Sequence, residues 1–263
     1  MIWILLGGLL GGFSFPTAMG SVHFPELGFL AWVALIPLYL RLKKASIWQG
    51  FYSGLVFGAG LYGISLYWIF IAMFHYGQVP VWGSLLGVIV MVFLLSLYLG
   101  AALLLAIFLA KKTVPLFVTL PLAWVTQDFL KNYFPFGGFP WSSLGYTQHH
   151  FLTLLQMLDL TGIYGVTFFI IVINQLLAEL FLWLRTQRAF PLRESLCLVS
   201  LLFLVLLYGK IKISTINHFI TIQPKIRVSL IQGNIPQDAW RFHRVSSISI
   251  FLISSSGHFS LGR

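Results

Sequence analysis

The chain has 263 residues, of which 59% are hydrophobic and only 8% charged, and its mean hydropathy is +0.92. A soluble globular domain of that length needs far more surface charge, so that class is excluded. The formal net charge of +10 would suggest nucleic acid in a soluble protein. Here the basic residues sit between apolar runs, where they orient a membrane chain, and no nucleic-acid partner is expected.

Taken in order, the apolar runs predict an all-α polytopic membrane protein with about seven spanning helices. Met1 to Phe15 has no basic residue ahead of it and reads as a first span rather than a cleaved signal peptide. Leu27 to Leu40 is the second, closed by Arg41, Lys43 and Lys44. Trp48 to Phe74 is the third, and Val79 to Ala110 a long fourth that must tilt or bend before Lys111 and Lys112. Val114 to Leu130 is the fifth and contains Pro115 and Pro121. The sixth lies within Leu160 to Leu184, ended by Arg185 and Arg188, and the seventh is Ser195 to Tyr208. With the amino terminus cytoplasmic, the inner loops hold Arg41, Lys43, Lys44, Lys111, Lys112, Arg185, Arg188 and Arg193, against Lys131 alone outside. The positive-inside rule therefore predicts that orientation, with the carboxyl tail on the outer face. Glycines four apart, Gly50, Gly54 and Gly58 on the third span and Gly7, Gly8, Gly11 and Gly12 on the first, predict close helix packing within the chain. Residues 1–209 thus form a membrane domain, 210–225 a polar linker, and 226–232 a strand followed by the turn Gly233 to Pro236.

Few residue types here can carry chemistry. Cys197 is the sole cysteine, which rules out an internal disulfide, and its apolar surroundings suit a buried thiol better than a nucleophile. No spacing of His, Cys, Asp or Glu suggests a metal, and no cofactor is expected. The loop Phe134-Pro135-Phe136-Gly137-Gly138-Phe139-Pro140-Trp141 is the most specific stretch. It reads equally as an aromatic interface belt and as a lip around a lipid entrance. Asp128 and Lys131, three apart on the fifth span, share a face and are expected to form a structural ion pair. Glu179, near Arg185, is expected to join a snorkelling salt bridge. A Ser142, His149 and Asp159 set lacks the strand–turn–helix setting of a nucleophile elbow and is disfavoured. His75 and Tyr76 read as interfacial residues.

Several stretches together resemble one family, the bacterial apolipoprotein N-acyltransferases. They are Trp32-Val33-Ala34-Leu35-Ile36-Pro37-Leu38, Gly58-Ala59-Gly60 with Tyr67-Trp68-Ile69, and Pro121-Leu122-Ala123-Trp124. The resemblance continues through Gly138-Phe139-Pro140-Trp141, Leu144-Gly145-Tyr146-Thr147-Gln148 and Gly162-Ile163-Tyr164-Gly165-Val166. It ends on Val228-Ser229-Leu230-Ile231-Gln232-Gly233-Asn234-Ile235-Pro236-Gln237. The resemblance implies a multi-pass enzyme of the bacterial inner membrane that moves an acyl chain from a phospholipid to the amino group of a diacylglyceryl-cysteine on a lipoprotein. It implies a nitrilase-like α/β domain in the periplasm with a Glu, Lys and Cys triad, where Cys forms a thioester, Glu moves protons and Lys steadies the oxyanion. Residues 226–240 match the first strand of that domain, with Trp240 resembling a family tryptophan set one residue closer to the turn. Residues 241–263 depart from the pattern, and Cys197 precedes the domain, so the 263 residues are expected to lack the triad and to be inactive alone, a reading matching a frameshift or early stop. On this resemblance Gly138, Phe139, Pro140, Trp141, Trp68 and Trp240 are the lipid or substrate entrance candidates, no catalytic residue is assigned, and the protein is expected to be monomeric. The alternatives are a small transporter or lipid-binding membrane protein, and a membrane-embedded histidine acyltransferase. A transporter would show an inverted repeat and midspan charges, neither visible here. An intramembrane histidine enzyme would place one of the seven histidines inside a span, and all lie in loops, near ends or in the tail.

Overall fold

A computed structural model describes residues 1–16, 18–19, 22–23, 27–112, 114–134, 137–186 and 192–223. The strand over 226–232, Trp240 and the tail lie outside the described residues. Within them the regular structure is helical apart from a two-residue antiparallel ladder, β1 (Ala18–Met19) with β2 (Val22–His23). The α-helices are α1 (Ile2–Phe13), α2 (Ile36–Leu42), α3 (Ile47–Ser65), α4 (Tyr67–Ile71), α5 (Val81–Ala110), α6 (Leu116–Lys131), α7 (Leu152–Leu155), α8 (Leu158–Thr186) and α9 (Leu192–Ile222).

Among the described residues, α5, α8 and α9 are each long and apolar enough to cross a bilayer. A fourth span follows if α3 is joined to α4 and the π-helical turn Ala72–Tyr76, which bend by 53° at Leu66. The apolar helices Ile2–Phe13 and Gly28–Leu42 are shorter, the latter opening as a 3₁₀ turn over Gly28–Trp32 before α2. The third apolar run is therefore broken rather than straight, and the first, second and fifth fall short of the usual spanning length.

Glycine sets the tightest packing. A Cβ on Gly54 of α3 would stand 2.6 Å from the Gly100 Cα on α5, and one on Gly8 of α1 would lie closer than that to the Phe57 carbonyl of α3. Backbones approach this closely only where side chains vanish, and in lipid such contact replaces the hydrophobic effect as the force between helices. The glycine rows thus pack α1 and α5 on either side of α3, within the chain as expected. Ser46 starts α3 with a reciprocal capping box: its hydroxyl accepts from the Gln49 N–H, and the Gln49 side chain accepts from the Ser46 N–H.

The rest of the core closes around α8. Asn174 bridges three backbones: its Nδ2 donates to the Ala31 and Ile170 carbonyls, and its Oδ1 accepts from the Leu35 N–H. Gln175 donates to the Leu116 carbonyl at 3.2 Å, and the Thr167 hydroxyl accepts from the Gly145 N–H. Gly162, at φ 60°, breaks the first turn of α8 from the remainder. Beyond it α9 runs unbroken to Ile222, so the polar segment read as a linker is helical for most of its length. Tyr208 and Lys212 on that extension both reach the Asp159 carboxylate at the start of α8.

Candidate lipid entrance and its buried support

At one end of the bundle lie the loop after α6, the α4 segment and the start of α8; the loops carrying Lys43, Lys44, Lys111 and Lys112 lie at the other. The loop conformation begins with its glycines. Gly137 and Gly138 have φ of 89° and 88°, a left-handed region that side chains avoid. At Gly138 an added Cβ would meet the Asn132 carbonyl carbon at 2.1 Å, so the position admits no side chain on two counts. This fold-back lets the Phe139 N–H donate to the Lys131 carbonyl at 2.6 Å and tie the loop to the last turn of α6.

Phe139 is half-buried and its ring lies 5.0 Å from that of Trp141, which in turn meets Trp68 of α4 at 5.9 Å. Trp141 keeps 53% of its surface exposed and Trp68 38%. Three of the sequence-predicted residues, more than seventy positions apart at their extremes, form one aromatic ridge with an open edge. Pro140 is exposed beside it. Ser142 follows at φ 64°, an uncommon conformation for serine, and its hydroxyl accepts from Ser65 at 3.3 Å.

Asp128 and Lys131 lie directly beneath. Each is 1% exposed, and the Lys131 Nζ stands 2.8 Å from the Asp128 Oδ1. The approach is that of an ion pair, but its angle falls outside hydrogen-bond geometry, and Oδ1 instead accepts from the Gln127 amide at 2.7 Å. Asp128 Oδ2, Gln127 Oε1 and Ser143 Oγ are also buried without a protein partner, and the ammonium sits 5.8 Å over the Tyr62 ring. Buried polar atoms left without a partner call for internal water or a polar ligand atom. Asn132 joins the pair to α8 through the Tyr164 hydroxyl at 2.7 Å, and a flipped amide also reaches the Phe139 and Asp128 carbonyls. Burial, then Tyr164 and Asp128 nearby, push the Tyr146 hydroxyl up from its ordinary pKa.

Other expectations resolve differently. Glu179 pairs with Lys43 at 2.5 Å and accepts from the Tyr39 hydroxyl, whereas Arg185, its expected partner, covers the Phe181 ring. The chain fold brings Lys43 across from α2, a partner that spacing along α8 could never show. Ser142 and Asp159 are engaged with Ser65 and with Tyr208 and Lys212 respectively, so no triad is assembled with His149. His75 and Tyr76 are exposed on the π turn, their rings 4.9 Å apart. Among the described residues no cluster of His, Cys, Asp or Glu is arranged to hold a metal. Sequence reasoning passed over Asn174 and Gln175, although an amide pair in the middle of an apolar run was the available signal.

A glycine-stitched bundle of apolar helices with an aromatic lip over a buried ion pair defines a multi-span helical membrane protein. Its family follows from comparison with known proteins. The family model of the apolipoprotein N-acyltransferase N-terminal domain matches residues 7–176, and the chain belongs to that family. Among curated relatives, the apolipoprotein N-acyltransferase of Geobacter metallireducens is 34% identical over 237 residues, covering 89% of this chain and 43% of that protein. The corresponding proteins of Methylococcus capsulatus and Chlorobaculum tepidum are 28% and 29% identical, covering 90% of this chain and 45% and 42% of theirs. The chain thus spans less than half the length of the relatives it matches.

Proposed function

We propose that these helices form the membrane part of an apolipoprotein N-acyltransferase, holding the entrance through which a phospholipid and a diacylglyceryl-lipoprotein reach the acyl-transfer site. The observation that carries the reading is the Phe139, Trp141 and Trp68 ridge, tied by Phe139 to the helix turn that bears Lys131. Aromatic rings of this kind settle at headgroup depth, where one edge meets acyl chains and the other meets water. The rigid fold-back at Gly138 keeps them from collapsing onto the bundle. In this reading the chain crosses the inner membrane seven times as a monomer, the shorter helices spanning with help from their loops. Its amino terminus is cytoplasmic, and the segment after α9 enters the periplasm.

The thioester step needs a thiolate in water with a carboxylate and an amine around it. Cys197 instead lines an apolar cleft with Phe117, Phe168, Val172 and Leu198 at the basic end, far along the bundle from the lip. The 263 residues on their own therefore form no acyl-thioester and transfer no acyl chain. Residues 226–240 would open the nitrilase-like domain.

A photo-crosslinking residue placed at Trp141 tests the entrance. It should capture diacylglyceryl-lipoprotein in membranes, while the same probe at Trp82, a more exposed tryptophan at the start of α5, captures phospholipid only. Equal lipoprotein capture at the two sites would overturn the assignment. In cells depleted of their own enzyme the chain should leave lipoproteins diacylated, and triacylated product would refute its inactivity.

A further inference from the structure

The second built feature of this molecule lies at the opposite end. A cavity of about 540 Å³ opens between α2, α5, α6 and α8, lined by Tyr39, Lys43, Lys111, Pro115, Phe117 and Glu179 among others. On the far side of Phe117 the apolar cleft of Cys197 adds about 330 Å³ between α6, α8 and α9. We infer that these two spaces together form a binding site for one phospholipid of the leaflet facing the basic loops, its phosphate between Lys43 and Lys111 and an acyl chain in the cleft. The assignment rests on the chain being a membrane protein and does not depend on acyl transfer.

Three observations place the occupant. First, the lysine-lined cavity and the apolar cleft both border Phe117, so a charged head in one and a hydrocarbon tail in the other lie against opposite faces of the same side chain. Second, the cavity lining carries two ammonium groups against one carboxylate, and that carboxylate, Glu179, is already met by Lys43 and by the Tyr39 hydroxyl. Lys111 is exposed at the cavity edge, and Lys44 and Lys112 extend the same positive rim. Third, α6 begins at this cavity behind Pro115 with no side chain capping it, so the positive end of its dipole lies at the same space. An anionic group seated there meets Lys111, the ammonium that Glu179 does not neutralise, and a helix start, whereas a neutral lipid such as diacylglycerol would leave both unmet. In the orientation proposed above, this is the cytoplasmic leaflet, opposite the acyl-transfer side.

Native mass spectrometry on the full chain in neutral detergent tests the site, with phosphatidylglycerol as the probe and diacylglycerol of the same chains as the control. The expected result is one retained phosphatidylglycerol and no retained diacylglycerol. Each lysine near an anionic headgroup contributes a factor of about five, so K111Q should weaken retention about fivefold and K43Q/K111Q about twenty-fivefold. L201W fills the cleft without touching a charge, because Leu201 is 42% exposed at its edge; it should abolish retention while leaving the thermal midpoint in place. Retention unchanged in K111Q, or equal retention of diacylglycerol, overturns the proposal. If glycerol phosphate alone displaces the lipid and L201W binds normally, the site reads a free phosphate and the lipid assignment fails. K111Q alters an exposed side chain at a helix end, so the test stands even where the double variant does not fold.

Discussion

Helices α8 and α9 are nearly equal in length, 29 and 31 residues, and their best spanning windows have mean hydropathy of 2.0 and 2.2. Yet that window is 56% buried in α8 and 11% buried in α9. Hydropathy reports that a helix meets hydrocarbon, and lipid and protein interior offer the same hydrocarbon. What separates the two is polar side chains at depth. Asn174, Gln175 and Thr167 hold α8 to three neighbouring segments, whereas α9 is tied by Tyr208 and Lys212, at and just past its middle, to Asp159 alone. In the bilayer a buried amide has no water to fall back on, so it fixes helix neighbours that apolar surface leaves undetermined.

The sharpest way to break this contrast is to remove a polar group from the deep interior. Asp128→Asn leaves the Lys131 ammonium buried without its counter-charge, at a cost of about 3–5 kcal/mol. The thermal midpoint in detergent should fall accordingly, and Asp128→Asn with Lys131→Met should recover much of the loss. If the double variant is no better than the single, the pair is not what α6 depends on. Asn174→Leu comes next, at about 2–3 kcal/mol, because the Leu35 N–H and the Ala31 carbonyl lose their partner together. A smaller effect follows at the lip: Gly138→Ala forces a methyl into Asn132 and strains a positive φ, about 1–2 kcal/mol taken up locally. It should raise the accessibility of Phe139 to oxidative footprinting while moving the global midpoint little.

The comparison also explains what the sequence made legible. Apolar runs and basic loops marked the long helices, though not the short α7 inside the expected loop, and the glycine rows of the first and third spans pointed to close packing within the chain but not to α5 as a partner. The Asp128–Lys131 pair was readable because charge is rare at membrane depth, and the Gly138 loop because two prolines and two glycines fall within six residues. The bend at Leu66 was not read, although Gly63 and Ser65 just before it are the kind of small-residue pair at which helices kink. Glu179 was read against its own helix, although its partner Lys43 lies 136 positions away. The polar stretch after Tyr208 lost its hydropathy at Lys210 and Lys212 and so looked like a linker. Lysines and hydroxyls end a membrane span without ending a helix, and the Asp159 contact gives the extension something to lean on.

The last and smallest effect bears on that extension. Asp159→Asn removes the carboxylate that Tyr208 and Lys212 share, but the Lys212 and Asp159 side chains are 28% and 41% exposed, so water replaces most of what is lost. The global midpoint should therefore hold within about 1 kcal/mol. The local consequence is different: among the described residues the side-chain hydrogen bonds of α9 beyond Lys212 stay within the helix, and its backbone comes close to the Thr153 carbonyl at Gly209. Backbone amides of residues 208–222 should exchange faster with deuterium in the variant, while those of Val166 to Ala178 in α8 stay protected. Matching acceleration in both helices would mean that α9 is as deeply integrated as α8, and burial would then be a poor guide to which helices of this bundle are held.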